Sequence, residues 1–335
     1  GGFYKNWYSL KNMKSKPVSY EVELSILRNY KNNINQLNPH QGNYSGPIYE
    51  NNELVLPELK ECDERYFKIY SSKLFSNDAA LIPEDFSPEF RQRLINDSKK
   101  SDYSISVIIP SWNREKTLLR AIDSALNQTL KPKEVIVCDD GSDDESLKRM
   151  HECFPFAISN KILKIIESDH LGVSNARNMA LKISKGEFLA YLDSDNTWHP
   201  DHLLFLYNFL SNNGNEFDLV YSTRRLYGSR INGKILPVKP FDYRKLLIEN
   251  FIDLNCVIHN RKLYENEGGF DIRLKRLVDW ELMLRYTSST KIKTRVSHIN
   301  LATVNYWRNK DFLSNISVNE NWEDPFKIIN KRYKK

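Results

Sequence analysis

The sequence predicts an α/β protein whose mostly parallel sheet is covered by helices on both faces. Two observations carry that expectation. Between residues 104 and 223, short apolar runs alternate with segments of helical periodicity, and strands that are apolar throughout belong to sheets buried on both faces. Several of these runs also end in polar or acidic turns, such as Cys138-Asp139-Asp140-Gly141 and Leu192-Asp193-Ser194-Asp195. Those turns fall at the carboxyl ends of the strands, where sheets of this kind gather their ligands.

Taken in order, residues 105–110 read as a buried strand ended by Pro110. Residues 116–128 follow as a helix with Leu118, Leu119, Ile122, Ala125 and Leu126 on one face. Strands at 134–139, 162–167, 187–192 and 219–223 then alternate with helices at 145–153, 173–184 and 201–210. Residues 1–101 differ in character and read as a mainly helical arm. A helix over 20–37 uses Val22, Leu24, Leu27 and Ile34, a loop rich in Asn, Gly and Pro spans 38–52, and a short helix at 88–96 has Pro88 in its first turn. Residues 102–310 form the main domain, divided into halves at 102–223 and 224–310. A tail at 311–335 ends in a basic helix over 326–333, solvated or resting on a membrane or a neighbouring domain.

The 335 residues are 40% hydrophobic and 27% charged, as in ordinary globular proteins. The net charge of +6 is scattered along the chain, which argues against nucleic acid as a partner. Cys62, Cys138, Cys153 and Cys256 form no CxxC pair and no metal spacing, a usage that fits the reducing cytoplasm. No apolar run has the length of a membrane span. The Gly1-Gly2 start without Met implies an excised or processed form of a longer polypeptide, so an anchor or further domain would lie outside it.

The chemistry centres on carboxylates. Residues two apart in an extended segment project to the same side, so Asp193 and Asp195 aim at one point beyond the sheet. Two such carboxylates suit Mg²⁺ or Mn²⁺. Asp139 and Asp140 precede a Gly141-Ser142 turn that their geometry alone could explain, yet Asp140 could also accept a hydrogen bond from a base N–H. Among rival enzymes, a nucleotidyltransferase or a dinucleotide enzyme would want a glycine-rich loop after the first strand. Here that turn is Pro110-Ser111-Trp112-Asn113-Arg114.

Together these segments resemble the inverting glycosyltransferases of family 2, which have the GT-A fold. The matching blocks are Ser106-Val107-Ile108-Ile109-Pro110-Ser111-Trp112-Asn113-Arg114, Ala125-Leu126-Asn127-Gln128-Thr129, and Val135 through Ser142. Gly172 through Asn178, Gly186 through Asn196, Gly268-Gly269-Phe270-Asp271 and Asp279-Trp280-Glu281-Leu282-Met283-Leu284-Arg285 complete the set. The resemblance covers about residues 104–308 and leaves the arm unexplained.

It implies that Pro110 and Ser111 line a nucleotide base, that Asp140 binds the base edge, and that Arg177 reaches the base or diphosphate. Asp193 would hold the ribose and help to position the cation, Mn²⁺ or Mg²⁺, which Asp195 would bind. Asp279 matches the catalytic base, and Glu281 is its rival, since the two cannot face one point on a helix. Trp280 would stack on a sugar or fill the core. His259 and His298 read as structural, and His199 and His202 as exposed helix residues. The implied activity is transfer of a hexose or N-acetylhexosamine from a nucleotide sugar, UDP by family frequency, to a glycan or lipid-linked acceptor. Such a protein would serve surface polysaccharide or capsule synthesis, in the cytoplasm or at the inner face of the membrane. The alternative of another class is a glycan-binding or scaffolding module that keeps the fold without turnover.

Overall fold

The computed structural model describes residues 49–50, 53–54, 81–83, 86, 88–100, 102–211, 217–228, 231–236, 240–288, 293–308 and 323–333. The helix expected over 20–37, all of the expected loop but residues 49–50, and Cys62 lie outside them. Tyr49–Glu50 and Glu53–Leu54 pair as an isolated antiparallel ladder.

The main body begins at Leu81. In chain order its elements are α1 (Pro88–Lys99), β1 (Ile105–Ser111), α2 (Leu118–Leu126), β2 (Glu134–Asp139), α3 (Ser146–Cys153), α4 (Pro155–Ser159), β3 (Leu163–Glu167) and α5 (Val173–Ile183). There follow β4 (Phe188–Tyr191), β5 (Thr197–Trp198), α6 (His202–Ser211), β6 (Leu219–Gly228), β7 (Ile231–Leu236), α7 (Tyr243–Leu246), β8 (Val257–Asn260), α8 (Arg261–Glu267), α9 (Val278–Thr287), β9 (Val296–Arg308) and α10 (Glu323–Tyr333). One sheet holds all nine strands in the order β3-β2-β1-β4-β8-β6-β9-β5, with β7 bonded to β6.

The sheet is parallel from β3 through β4, as the strand–helix alternation predicts. Beyond β4 the sheet is mixed: β8 runs antiparallel to both β4 and β6, while β9 lies parallel to β6. A parallel neighbour requires a crossover back to the same end of the sheet. The chain instead descends from β6 through the β7 hairpin and the short α7, and enters β8 from the opposite end. This reversal brings the segment before β8 to the carboxyl edge of β4.

Pro110 does not end β1. It pairs with Cys138 of β2, whereas the ladder to β4 stops at Ile108. The missing proline N–H therefore removes nothing from the sheet. Gly186 precedes β4 where a Cβ would lie 2.4 Å from the Ser106 nitrogen, so only glycine allows the two backbones to approach.

Two apolar cores cover the faces of the sheet. One includes Val107, Ile109, Val135, Val137, Ala190 and the α6 side chains; the other includes Ile108, Ile136, Leu189, Ile329 and the buried side of α9. The described end of the arm belongs to the first. Leu81 bridges to Leu301, and Phe86 lies between Phe90 and Phe205 with ring centroids 5.1 and 5.2 Å away. Arg91 pairs with the buried Asp201 at 2.7 Å. The basic terminal helix is anchored on one side and solvated on the other, with Asp324, Lys327 and Lys331 exposed. Phe326 and Ile329 of α10 pack on the core beside α9, with the Phe326 ring 6.0 Å from Trp280, so its apolar side is already covered. Among the described residues, no helix is long and apolar enough to cross a membrane.

Candidate active site

The carboxyl edge of β1 and β2 is stitched by short polar loops. Asp139 accepts hydrogen bonds from Ser142 N and Oγ at 2.9 and 2.6 Å, closing the turn at Gly141, whose φ of 72° suits glycine. Asp140 accepts from Ser168 Oγ at 2.5 Å and from Leu171 N and Gly172 N at 2.8 Å each. Both acids thus organise loops. A carboxylate has about four acceptor sites, so three protein donors leave Asp140 one site for a ligand. Beside it, Ser111 Oγ is buried without a partner among the described residues. The exposed Trp112 ring stands 4.3 Å from His170.

The turn after β4 carries Asp193 and Asp195. Asp193 is held on both oxygens: Arg177 Nη2 donates to Oδ1 at 2.7 Å and Asn255 Nδ2 to Oδ2 at 2.9 Å. Asn255 Oδ1 also accepts from Asp193 N at 2.7 Å, and Asn255 Nδ2 donates to Asp253 as well, at 2.8 Å. Arg177 is a buried residue with its guanidinium 5.1 Å from the Phe270 ring centroid. The next residue of α5, Asn178, exchanges hydrogen bonds with the Phe270 backbone at 2.8 and 2.9 Å. A Cβ at residue 269 would lie 2.2 Å from Asn178 Oδ1. That close approach accounts for Gly269, while Gly268 takes a φ of 80° that favours glycine.

Asp195 has a different environment. Burial first, and the charge of Asp193 second, push its carboxyl up to about 6. Its backbone carbonyl accepts from Arg120 Nη2 at 2.7 Å. A hard divalent cation fits here, since two neighbouring carboxylates carry charge that their surroundings leave incompletely balanced. No group of three or more His, Cys, Asp or Glu side chains forms a metal cage among the described residues. The pair would therefore share its cation with phosphate oxygens and water, as magnesium sites commonly do.

Asp279 stands in the first turn of α9, half-buried, and accepts from Asn250 Nδ2 at 3.0 Å. Burial raises its pKa first, the charge of Asp253 adds to this, and Arg177 opposes it. Arg177 therefore acts on both Asp193 and Asp279. Asp253 is ion-paired to Arg224 at 3.3 Å, and Arg224 lies 5.6 Å from the Tyr306 ring centroid. The residue preceding α9, Leu277, has a left-handed φ of 58°, a conformation that costs a non-glycine residue about 1–2 kcal/mol.

Glu281 faces elsewhere. It is buried, paired with Arg285 at 2.9 Å, and accepts from Tyr333 Oη at 2.9 Å. Trp280 fills the core and donates to the Leu246 carbonyl at 2.7 Å. The expectation of exposed histidines at 199 and 202 is overturned. His199 Nδ1 accepts from Asp201 N at 3.0 Å, and His202 is buried on Trp198, 4.3 Å between ring centroids, with Nδ1 2.8 Å from Thr303 Oγ1. They cannot stay outside because α6 is buried between α1 and the sheet. His259 and His298 are buried too.

Sequence reasoning missed Asn250, Asp253, Asn255, Arg224 and Arg120. None belongs to a quoted block, and the first three reach the site only through the antiparallel register of β8. A run of Asp253-Leu254-Asn255 before an apolar strand was the available signal.

Residues 106–267 match the family model described as "Glycosyl transferase family 2". The chain is 33% identical over 164 residues to the Escherichia coli "UDP-Glc:alpha-D-GlcNAc-diphosphoundecaprenol beta-1,3-glucosyltransferase WfgD", a match covering 48% of this chain and 62% of that protein. It is 28% identical over 232 residues to E. coli chondroitin synthase, covering 68% of this chain and 32% of the relative. The chain thus spans less than two thirds of the length of either relative. Its fold matches S. aureus TarS 1-349, solved in complex with UDP-GlcNAc, with a TM-score of 0.55 at 21% identity over 69% of this chain and 65% of TarS. The fold is GT-A.

Proposed function

We propose that this chain, whose residues 106–267 match the family 2 glycosyltransferase model, is an inverting, cation-dependent glycosyltransferase acting from a nucleotide sugar on a glycan or lipid-linked acceptor. The single observation that carries this reading is the convergence at Arg177, bound to Asp193 and acting electrostatically on Asp279. It supports one cleft with the paired carboxylates on one side and a half-buried carboxylate of raised pKa on the other.

In this reading the base lies among Pro110, Ser111 and the remaining acceptor site of Asp140. Asp193, fixed from two sides, receives the ribose and orients its neighbour. Asp195 and Asp193 are the residues that would hold Mn²⁺ or Mg²⁺. The cation supplies charge stabilisation for the departing diphosphate. Asp279 accepts the proton of the acceptor hydroxyl as its oxygen attacks the anomeric carbon. The bond from that carbon to the phosphate oxygen breaks on the opposite face, its electron pair leaves with the diphosphate, and the anomeric configuration inverts. A carboxyl whose pKa is raised by burial and by Asp253 is a stronger base once ionised.

The E. coli glucosyltransferase, whose name specifies UDP-Glc and a diphosphoundecaprenol-linked acceptor, supports UDP as the nucleotide and a lipid-linked saccharide as the acceptor. The chondroitin synthase likeness supports a place in polysaccharide synthesis. A lipid-linked acceptor would bring the protein to the cytoplasmic face of a membrane. The test is Asp279→Asn, assayed with a panel of UDP-sugars and Mn²⁺. Turnover falls by about 10²–10⁴-fold while UDP affinity is kept; undiminished turnover removes Asp279 from the mechanism.

A further inference from the structure

We infer that Arg332, on the terminal helix α10, is a positioning residue for Asp279. The inference rests on the proposed role of Asp279 as base. Asp279 is the second residue of α9, two after Leu277, whose left-handed backbone precedes a helix start without a side-chain cap. A strained turn of this kind persists only where its surroundings over-determine it.

The residues that bracket the turn are Asp271 on one side and Glu281 on the other. Arg332 Nη1 lies 2.8 Å from Asp271 Oδ2 and 3.3 Å from Glu281 Oε1. One guanidinium thus joins the segment that enters the turn to the helix that leaves it. Each carboxylate also has a local arginine, Arg273 for Asp271 and Arg285 for Glu281. Those local pairs fix each side separately. Arg332 touches both, and its neighbour Tyr333 adds a bond to Glu281 at 2.9 Å.

Burial makes the clamp consequential. The side chains of Asp271 and Glu281 are only 8% and 1% exposed, and a buried charge that loses a partner pulls its backbone toward a new arrangement. The hydrogen bonds and ion pairs of Arg332 run to Asp271 and Glu281, not to Asp193, Asp195 or Asp279. Its effect on catalysis must therefore travel through the 271–281 turn. The family model ends at residue 267, so this turn, α9 and α10 all lie beyond it.

The test compares Arg332→Ala and Arg332→Lys with the wild-type chain. It measures transfer kcat and donor KM, UDP affinity with Mn²⁺ by calorimetry, and amide hydrogen exchange of peptides covering 271–281 and 188–196. In Arg332→Ala, kcat falls by about 10- to 100-fold, as expected for a misplaced catalytic group. Donor KM and UDP affinity stay within about twofold, and exchange accelerates at 271–281 but not at 188–196. Lys at 332 restores part of kcat, because it keeps the positive charge but not the planar guanidinium that sets Nη1 against both carboxylates. Should Arg332→Ala fold poorly, the lysine variant carries the same readouts. Wild-type kcat in both variants overturns the inference. So does a loss in which UDP affinity falls in parallel and exchange rises across the sheet, the signature of general destabilisation. A wild-type chain with no transfer from any nucleotide sugar sinks the functional reading and this inference with it, whereas an active wild type indifferent to residue 332 sinks the inference alone.

Discussion

Lowering the pH from 7 to 5 should destabilise this protein by an amount traceable to two buried histidines. Burial holds His259 at about 4 and His298 at about 3, against about 6.5 in an unfolded chain. A base whose folded pKa is depressed contributes stability above its unfolded pKa and loses it as pH falls toward the folded value. Between pH 7 and 5 each histidine therefore forfeits about 2 kcal/mol. Asp195, raised to about 6, works in the opposite direction. Its folded carboxyl takes up a proton that the unfolded chain still lacks, which returns about 1 kcal/mol. The net loss is about 2–3 kcal/mol; His202, also lowered by burial, deepens it, and Asp279, raised by burial, offsets part of it. Urea unfolding at the two pH values measures the difference. His298 is the informative site, since neither ring nitrogen has a partner among the described residues and the ring faces Tyr221 at 4.8 Å. His298→Phe should shrink the difference between pH 7 and pH 5 by about 2 kcal/mol, whatever packing change the new ring brings to both values. An unchanged difference in that variant would refute the account of His298 as a buried neutral base.

Two further outcomes concern the carboxylate turn. Because the Asp195 carboxyl sits near 6 without metal, protons compete with Mn²⁺, and affinity should fall by up to about tenfold for each unit below pH 6. Calorimetric titration between pH 5 and 7 checks this, and a flat affinity would exclude Asp195 as a ligand. Asn255→Ala removes the clamp on Asp193 and should weaken Mn²⁺ binding by about 10- to 100-fold, read by the same titration; unchanged affinity would show that Asp193 needs no such support.

Much of the fold was legible because its signals are local. The apolar runs at 105–110, 134–139 and 187–192 became β1, β2 and β4, and the spacing of Leu118, Ile122 and Ala125 marked the buried face of α2. Asp193 and Asp195 could be found because both belong to one strand end. Long-range pairing was not legible. The antiparallel insertion of β8 depends on where the chain returns after the β7 hairpin, and no residue between 219 and 257 announces it. That register delivers Asn255 to Asp193 and Asp253 to the neighbourhood of Asp279. For the same reason the helix at 202–211 misled: His202 reads as polar, yet α1 of the arm covers α6 and Thr303 supplies the hydrogen bond.

The arrangement also divides labour between the two aspartates of the turn. Both oxygens of Asp193 already accept protein hydrogen bonds, from Arg177 and from Asn255, and each of those donors reaches onward, Arg177 to Phe270 and Asn255 to Asp253. A carboxylate so restrained is suited to fixing position. Asp195 has a raised pKa and no comparable clamp, so it carries the charge that a cation would relieve. The asymmetry is physical. Arg177 and Asn255 supply Asp193 with donors that hold it in place, whereas burial and the charge of that neighbour leave Asp195 with unmet demand. A metal arriving with phosphate would therefore be drawn toward Asp195, on a frame that Asp193 shares with the helix bearing Asp279.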